Sequence, residues 1–184
     1  MARSRIYTRK GDQGTCQLIG GLRVRKDENR VDCYGTFDEA CSFIGLLRVR
    51  MDKEHPMQNH MAQIQRNLME LMAVVANAPN STSEKAFSEQ HTKEVESWID
   101  ETEKLVGEKP NFFLLPGGCE TAALSHVIRT VIRRAERTLS RLNQSSPVQP
   151  SVLSYTNRLS DFFFLFSRFE NSRNQIAEEP WTAS

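Results

Sequence analysis

The stretch RTVIRRAERTLSR, Arg129–Arg141, decides the fold class of this 184-residue chain. Apolar side chains recur in it and beside it at intervals of three and four, at Ile128, Val131, Ile132, Ala135, Leu139 and Leu142. This spacing places them on one side of an α-helix, which is typical of a helix packed against a core. The pattern predicts a helix from about Glu120 to Leu142.

Four further segments of the chain show the same helical spacing. They run from after Asp32 to near Lys53, from Met61 to Val75, from Lys93 to Val106 with a stop at Gly107, and from about Ser151 to Asn171. The segment NQSSPVQP precedes the last helix, and its prolines are expected to exclude helix there. With no alternating strand pattern, the sequence predicts an all-α, five-helix bundle that is up-and-down at least in part.

The rest of the chain is predicted as loop and linker within a single domain, 1–184. Residues 5–30 hold four of the nine glycines within eleven positions and predict an ordered N-terminal loop. NSTSEKAFSE is expected to be a polar linker in which Ser83 could cap the third helix. The domain therefore divides into a loop at 1–31, a helical bundle at 32–173 and a flexible tail at 174–184.

Charge and cysteine usage exclude several classes of protein. The 24 Lys+Arg residues against 23 Asp+Glu residues give a net charge of +1, which disfavours a nucleic-acid partner, and no apolar run has the length of a membrane span. The four cysteines form no CxxC pair, so free thiols in a reducing compartment are expected. Because the first distinctive segment begins at Arg5, we expect no signal peptide and a cytoplasmic protein, or a mitochondrial-matrix protein if a presequence was removed.

The helix at 120–142 carries the strongest candidate for a binding site. Arg129, Arg133, Glu136 and Arg137 fall at i, i+4, i+7 and i+8 and share a face distinct from the apolar one. Like charges at this spacing repel by about a few tenths of a kcal/mol per pair, so acidic side chains or an anionic ligand must neutralise them. The spacing alone leaves open both a ligand site and a solvated basic face.

Two other segments could support nucleotide binding. The loop TRKGDQG combines a hydroxyl, cations and glycine amides suited to a polyphosphate, although it lacks the GK[ST] ending of a P-loop. On the last helix, Asn157 and Asp161 lie one turn apart and could contact a sugar or base, hold an arginine, or simply join two helices. The four histidines lack metal-ligand spacing, so a metal is expected to be Mg²⁺ arriving with a phosphate ligand.

Five segments together closely resemble the PduO-type ATP:cob(I)alamin adenosyltransferases. They are IYTRKGDQG, RKD followed by YGTFDEACSFIG, FFLLPGG, RTVIRRAER and TNRLSDFFF, in the family's order and spacing across about residues 5–170. The resemblance implies a five-helix bundle of the ferritin-like, cobalamin adenosyltransferase type that forms a homotrimer. ATP and the corrinoid would bind where adjacent subunits meet, with help from Mg²⁺.

The implied reaction transfers the 5′-deoxyadenosyl group of ATP to the cobalt of cob(I)alamin, releasing triphosphate. By similarity, the phosphate-binding loop comprises Thr8, Arg9, Lys10 and Gly11, followed by Lys26. The nucleotide-binding residues of the late helices are Arg129, Arg133, Arg134, Glu136, Arg137 and Asn157. Asp38 matches an acid that pairs with the counterpart of Arg129 across the subunit boundary, and these two with Arg133 form the expected catalytic set.

The resemblance also assigns Phe113 to the corrinoid, as an aromatic residue that closes the lower face of the corrin. Without the family, a loop phenylalanine at this position could equally pack into the core. A cob(II)alamin reductase and an adenosylcobalamin-dependent client enzyme are the implied protein partners. The chain departs from the family pattern where Cys16 replaces Ser or Thr, where Ala40 and Cys41 replace Leu-Asn, and in a less basic LRVRKD.

Two other classes of function remain open from the sequence. A nucleotide-binding regulatory or carrier bundle would keep the arginine face and the loop but would not adenosylate a reduced corrinoid. A nucleic-acid-binding helical protein could use the basic helix, although the net charge and the lack of interleaved exposed aromatic residues disfavour it. The absence of a nucleophile–base pair is compatible with the transferase, because Co(I) is itself the nucleophile.

Overall fold

The computed structural model describes residues 6–79, 86–107 and 110–182. It contains five helices, namely α1 Asn29–Arg50, α2 Gln58–Val75, α3 Gln90–Val106, α4 Glu120–Ser145 and α5 Pro150–Arg173. The predicted all-α bundle is confirmed. The proposed cap at Ser83 lies outside the described residues. None of the helices in these ranges is long and apolar enough to cross a membrane.

α4 lies at the centre of the helix arrangement. It makes its most extensive contacts with α5 and α1, while α3 packs against α5 and α2 packs against α1. The apolar stripe predicted on α4 is buried, with Ile128, Ile132, Ala135 and Leu139 fully excluded from solvent. Phenylalanines of α5 complete this core, so the aromatic run of TNRLSDFFF is mostly structural.

The helix ends follow the expected signals except between α4 and α5. α3 ends at Val106, as predicted, because Gly107 adopts a φ of 77° that ends the helix. α4 continues to Ser145, however, and α5 begins at Pro150 itself. The prediction that the prolines exclude helix is wrong for Pro150, since a proline at the first helical position loses no hydrogen bond and has a suitable φ.

A short antiparallel hairpin lies inside the segment predicted as loop. Its strands, β1 Thr15–Gln17 and β2 Arg23–Arg25, have three residues each, which is too few for an alternating pattern to be visible. Gly20 and Gly21 both have a φ of 94° in the turn between them. The hairpin tip is joined to the end of α2, because the Ile19 amide donates to the Ala76 carbonyl at 3.0 Å.

The segment after α5, predicted as a flexible tail, forms backbone contacts with the FFLLPGG loop. It runs antiparallel to the FFLLPGG loop. The Leu115 amide donates to the Glu179 carbonyl at 2.9 Å, and the Trp181 amide donates to the Phe113 carbonyl at 2.8 Å. These backbone hydrogen bonds carry no side-chain pattern, so the sequence does not reveal them.

Candidate functional site

The exposed side of α4 presents a group of arginines that we call the arginine surface: Arg129, Arg133, Arg134 and Arg137. Arg133, Arg134 and Arg137 are exposed and Arg129 is half-buried, and none of the four belongs to the buried stripe of α4. Arg134 forms an ion pair with Glu39 of α1, and Arg137 donates to the Arg133 carbonyl at 3.0 Å. Among the described residues the Arg133 guanidinium has no hydrogen-bond or ion-pair partner.

Arg129 is the least satisfied member of the arginine surface. Its Nε is buried and has no hydrogen-bond partner in the described part of the chain. Burial lowers the pKa of its guanidinium, and the charge of Arg133 one turn away lowers it further. A cation that is half-buried and unpaired favours an anionic group from outside this chain.

Glu136 and Asn157 join α4 to α5 at the edge of the arginine surface. The Asn157 amide donates to the Glu136 carboxylate at 2.9 Å. Asp161 instead accepts from Arg158 of its own helix at 2.9 Å, and Arg158 also donates to Glu96 of α3 at 3.1 Å. Of the alternatives for this pair, Asp161 holds an arginine and Asn157 joins two helices.

A cavity of about 330 Å³ lies between the arginine surface and the FFLLPGG loop. Its lining includes Arg129 and Arg133 of the arginine surface, the aromatic rings of Phe113 and Phe164, and Asp161. The structure therefore brings Phe113, which the sequence links to the corrinoid, next to two of the predicted nucleotide-binding arginines. A cavity lined by both cationic and aromatic side chains suits a large apolar ligand beside an anionic one.

Phe113 does not pack into the core. Its side chain is 79% exposed, and its ring meets Trp181 edge-to-face with the ring centroids 6.4 Å apart. The core alternative for this loop phenylalanine is therefore excluded in the isolated chain. Trp181 was not among the predicted site residues, because nothing in the sequence brings the last residues of the chain to this loop.

His126 is a second cavity residue that the sequence analysis missed. It lies one turn before Arg129, is 7% exposed, and lines the same cavity as Phe113. Burial lowers the pKa of His126 to about 4, with a further decrease from the charge of Arg129, so the imidazole is neutral at pH 7. The signal in the sequence is its helical spacing, since His126 lies three residues before Arg129 and seven before Arg133.

The predicted phosphate-binding loop forms a separate, exposed surface. Thr8, Arg9 and Lys10 are exposed, and Arg23 of β2 donates to the Lys10 carbonyl at 2.8 Å. Lys26 lies beside Gly11, because a Cβ built on Gly11 would be 3.4 Å from the lysine Nζ. The hairpin therefore brings together two parts of the predicted site that are fifteen residues apart.

The loop and the arginine surface do not meet within one chain. Within 6–79, 86–107 and 110–182, no hydrogen bond or ion pair joins Lys10, Lys26 or Asp38 to α4. Asp38 is exposed on α1, next to the Glu39 that binds Arg134. Its predicted pairing with Arg129 is not made inside the chain. In the described ranges the predicted residues therefore lie in two groups that no hydrogen bond or ion pair joins.

Cys16, the departure from the family pattern in this loop, contacts Tyr34 of α1. The thiol sulfur lies 3.7 Å from the phenol oxygen. Burial raises the pKa of Tyr34 to about 12, with contributions from Cys16. The thiol therefore occupies a partly buried position between the hairpin and α1, where it contacts the protein itself.

The chain is similar to known proteins along nearly its whole length. The family model for cobalamin adenosyltransferase matches residues 6–170. The chain is 36% identical over 184 residues to a corrinoid adenosyltransferase of Bacillus subtilis (strain 168), covering 98% of this chain and 93% of that protein. It is 37% identical over 170 residues to the corrinoid adenosyltransferase PduO of Salmonella typhimurium, covering 91% of this chain and 50% of that protein.

A solved structure shows the same similarity in three dimensions. It is a variant of the PduO-type ATP:corrinoid adenosyltransferase from Lactobacillus reuteri, complexed with cobalamin and ATP. Its TM-score to this chain is 0.90 at 32% sequence identity, covering 97% of this chain and 100% of that one.

The depressed pKa of His126 predicts a pH-dependent stability. Between pH 6.5 and about 4 the unfolded chain binds a proton at this imidazole that the folded chain does not bind, so acidification over this range lowers the free energy of unfolding. His126→Gln should therefore reduce the loss of melting temperature between pH 7.5 and pH 5. Melting curves of parent and variant that shift in parallel with pH would contradict this origin.

Proposed function

The chain belongs to the cobalamin adenosyltransferase family, and from that premise we propose how its residues act as an ATP:corrinoid adenosyltransferase. The enzyme transfers the 5′-deoxyadenosyl group of ATP to the cobalt of a reduced corrinoid. The observation that carries the proposed site is the arginine surface, where the Arg129 Nε and the Arg133 guanidinium have no partner among the described residues and line a cavity together with aromatic side chains. These residues supply positive charge where the triphosphate leaves.

The reaction explains why no nucleophilic side chain is needed. Co(I) donates an electron pair to the ribose C5′, so the cobalt–carbon bond forms as the C5′–oxygen bond breaks. The oxygen leaves with its bonding pair on the triphosphate, and cobalt is formally oxidised from Co(I) to Co(III). The protein has to align the reactants in line and stabilise the negative charge of the leaving group.

We assign the leaving triphosphate to the arginine surface and the nucleotide to its edge. Arg133 is free to contact phosphate oxygens, and Arg129 would gain the anionic group that its buried Nε lacks. Arg134 and Arg137 extend the positive surface, and Glu136, held by Asn157, is placed to accept hydrogen bonds from the nucleoside. Charge-assisted contacts of this kind are stronger than neutral hydrogen bonds.

The phosphate-binding loop of an adjacent subunit would complete the ATP site. Thr8, Arg9, Lys10, Gly11 and Lys26 lie on a surface of their own, and a homotrimer would place this surface against the arginine surface of the next subunit. The same assembly would let Asp38 reach Arg129 of the neighbouring chain. Each half-site in this arrangement is incomplete without a second copy.

Phe113 is proposed to contact the lower face of the corrin. It is exposed, lies on a loop held by the C-terminal segment, and lines the same cavity as Arg129. A phenylalanine in the place of the lower cobalt ligand would leave Co(II) four-coordinate. Cobalt without that ligand is easier to reduce to the nucleophilic Co(I) state.

The remaining partners follow from the same chemistry. We expect Mg²⁺ to arrive with ATP, because phosphate oxygens suit this cation and the described residues contain no group of three or more His, Cys, Asp or Glu side chains that could hold it. A reductase must supply the electron that converts Co(II) to Co(I), and a client enzyme would take the adenosylated product. The four free cysteines fit the cytoplasm or the mitochondrial matrix.

The direct test of the proposed activity uses ATP, Mg²⁺ and chemically reduced cob(I)alamin. We expect the corrinoid spectrum to change to that of adenosylcobalamin, with one triphosphate released per cobalt–carbon bond formed. Binding of ATP and corrinoid without this change would favour the regulatory or carrier alternative.

Arg133→Ala should lower turnover with cob(I)alamin by about two to three orders of magnitude, because it removes a charge-assisted contact to the leaving triphosphate. Arg66→Ala is the matched control and should retain activity, because this exposed arginine on α2 has Gln63 as its one hydrogen-bond partner in the part of the chain that the structure describes. Turnover of Arg133→Ala close to that of the control would refute the assignment.

Asp38→Asn should weaken the trimer and catalysis together. If the carboxylate pairs with Arg129 of an adjacent subunit, its loss leaves a half-buried cation without a partner, at a cost of about 3 kcal/mol. Sedimentation velocity and turnover measured at the same protein concentration report the two effects. An unchanged trimer with unchanged turnover would show that the two residues do not pair.

Phe113→Ala should affect adenosylation that starts from Co(II) and adenosylation that starts from Co(I) to different extents. Adenosylation of Co(II) supplied with a reductase should fall much more than adenosylation of chemically generated Co(I), because only the first route requires an easier reduction of cobalt. The melting temperature should change little, since the side chain is 79% exposed. Equal losses on the two routes would exclude a role at the lower face.

A further inference from the structure

The loop that carries Phe113 is held at its other end by Asn171, in the last turn of α5. Asn171 is 4% exposed. Its Oδ1 accepts a hydrogen bond from the Cys119 backbone amide at 3.0 Å, and its Nδ2 donates to the Gly117 carbonyl at 3.3 Å. One buried amide group therefore satisfies both the end of the loop and the start of α4.

The fit between Asn171 and the loop leaves no room for a side chain at residue 118. A Cβ built on Gly118 would lie 1.9 Å from the Asn171 Oδ1, and Gly118 has a φ of 101°. At Gly117, by contrast, a Cβ would meet no atom within 4 Å. The glycine at 118 is therefore required by the close approach of Asn171 as well as by its backbone conformation.

The neighbouring Glu170 fixes the C-terminal end of α5 through two side-chain hydrogen bonds. Its Oε1 accepts from His55 Nε2 at 2.8 Å, and its Oε2 accepts from the Thr121 hydroxyl at 2.5 Å. Because His55 Nδ1 accepts from the Met57 amide at 3.1 Å, the ring proton lies on Nε2 and points at the carboxylate. The end of α5 on which Asn171 stands is thus fixed to both α4 and the α1–α2 connection.

Because Phe113 is exposed, its position depends on hydrogen bonds that fix the backbone of its loop. An aromatic ring that is 79% exposed has few contacts of its own to fix it, and the C-terminal segment holds only the stretch from residue 113 to 115. The other end of the loop depends on Asn171. A group that acts by occupying a defined place on a ligand has to be held there before the ligand binds.

We propose that Asn171 is a positioning residue for Phe113: by fixing Gly117 and Cys119 it sets where the ring stands in the corrinoid cavity. Asn171 itself does not touch the substrate. This inference rests on the proposed role of Phe113 at the lower face of the corrin. It predicts that a change at Asn171 affects the route from Co(II) more than the route from Co(I).

The test compares Asn171→Ala with a variant that loses stability elsewhere. Val95→Ala truncates a fully buried side chain of α3 and serves as the control for lost stability. For each protein, the turnover of Co(II) with a reductase is divided by the turnover of chemically generated Co(I). We expect this ratio to fall by about tenfold or more in Asn171→Ala and to be unchanged in Val95→Ala.

A second readout is independent of turnover. The fraction of bound cob(II)alamin that is four-coordinate, measured by electron paramagnetic resonance with ATP present, should fall in Asn171→Ala and not in Val95→Ala. Should Asn171→Ala fail to fold, Asn171→Asp serves instead, since it keeps the acceptor for Cys119 but loses the donor to Gly117.

The inference is overturned if Asn171→Ala leaves the ratio of Co(II) turnover to Co(I) turnover unchanged. It is also overturned if both turnovers fall equally and in line with the melting temperature, because Asn171 would then have only a structural role. A failure of the proposed function is distinguishable, because the parent would then not adenosylate Co(I). A failure of the Phe113 assignment alone would appear as a normal ratio in Phe113→Ala.

Discussion

The packing of α4 between α1 and α5 is the constraint on which the rest of the structure depends. Its buried stripe must face both neighbouring helices, so the remaining side of α4 is left to solvent with its arginines. Within the described ranges Arg134 and Arg141 pair with Glu39 and Asp32 of α1, while Arg129 keeps an unpaired buried Nε. Packing of the core thus leaves the arginine surface with positive charge that favours binding of an anion from outside the chain.

The same packing separates the proposed nucleotide-binding groups. The hairpin places Lys26 beside Gly11. Its tip is hydrogen-bonded to the end of α2 and not to the arginine surface on α4. Because the loop and the arginine surface lie on different parts of the bundle, we propose that an adjacent copy brings them together. The proposed corrinoid cavity differs, since Phe113, His126 and Arg129 line it within one chain.

Features with a helical period could be predicted from the sequence, whereas contacts between segments far apart in the chain could not. Periodic apolar residues located all five helices, and the spacing of Arg129, Arg133 and Arg137 located the charged side of α4. The hairpin strands are too short to show a period, and Pro150 was misjudged because its position relative to the helix start was unknown. Trp181 and Asn171 reach the Phe113 loop only through the folded chain, so no local pattern identifies them.

The claim that each ATP site combines two chains is tested most directly by mixing two inactive variants. Arg133→Ala damages the arginine surface and Lys10→Ala the loop, and differently tagged copies can be refolded together and purified as hybrids. If sites form between subunits of a trimer, the purified hybrids should recover about a third of the parent's adenosylation of cob(I)alamin, since one of the three interfaces in each hybrid joins two intact halves. Hybrids as inactive as the two variants alone would contradict the account.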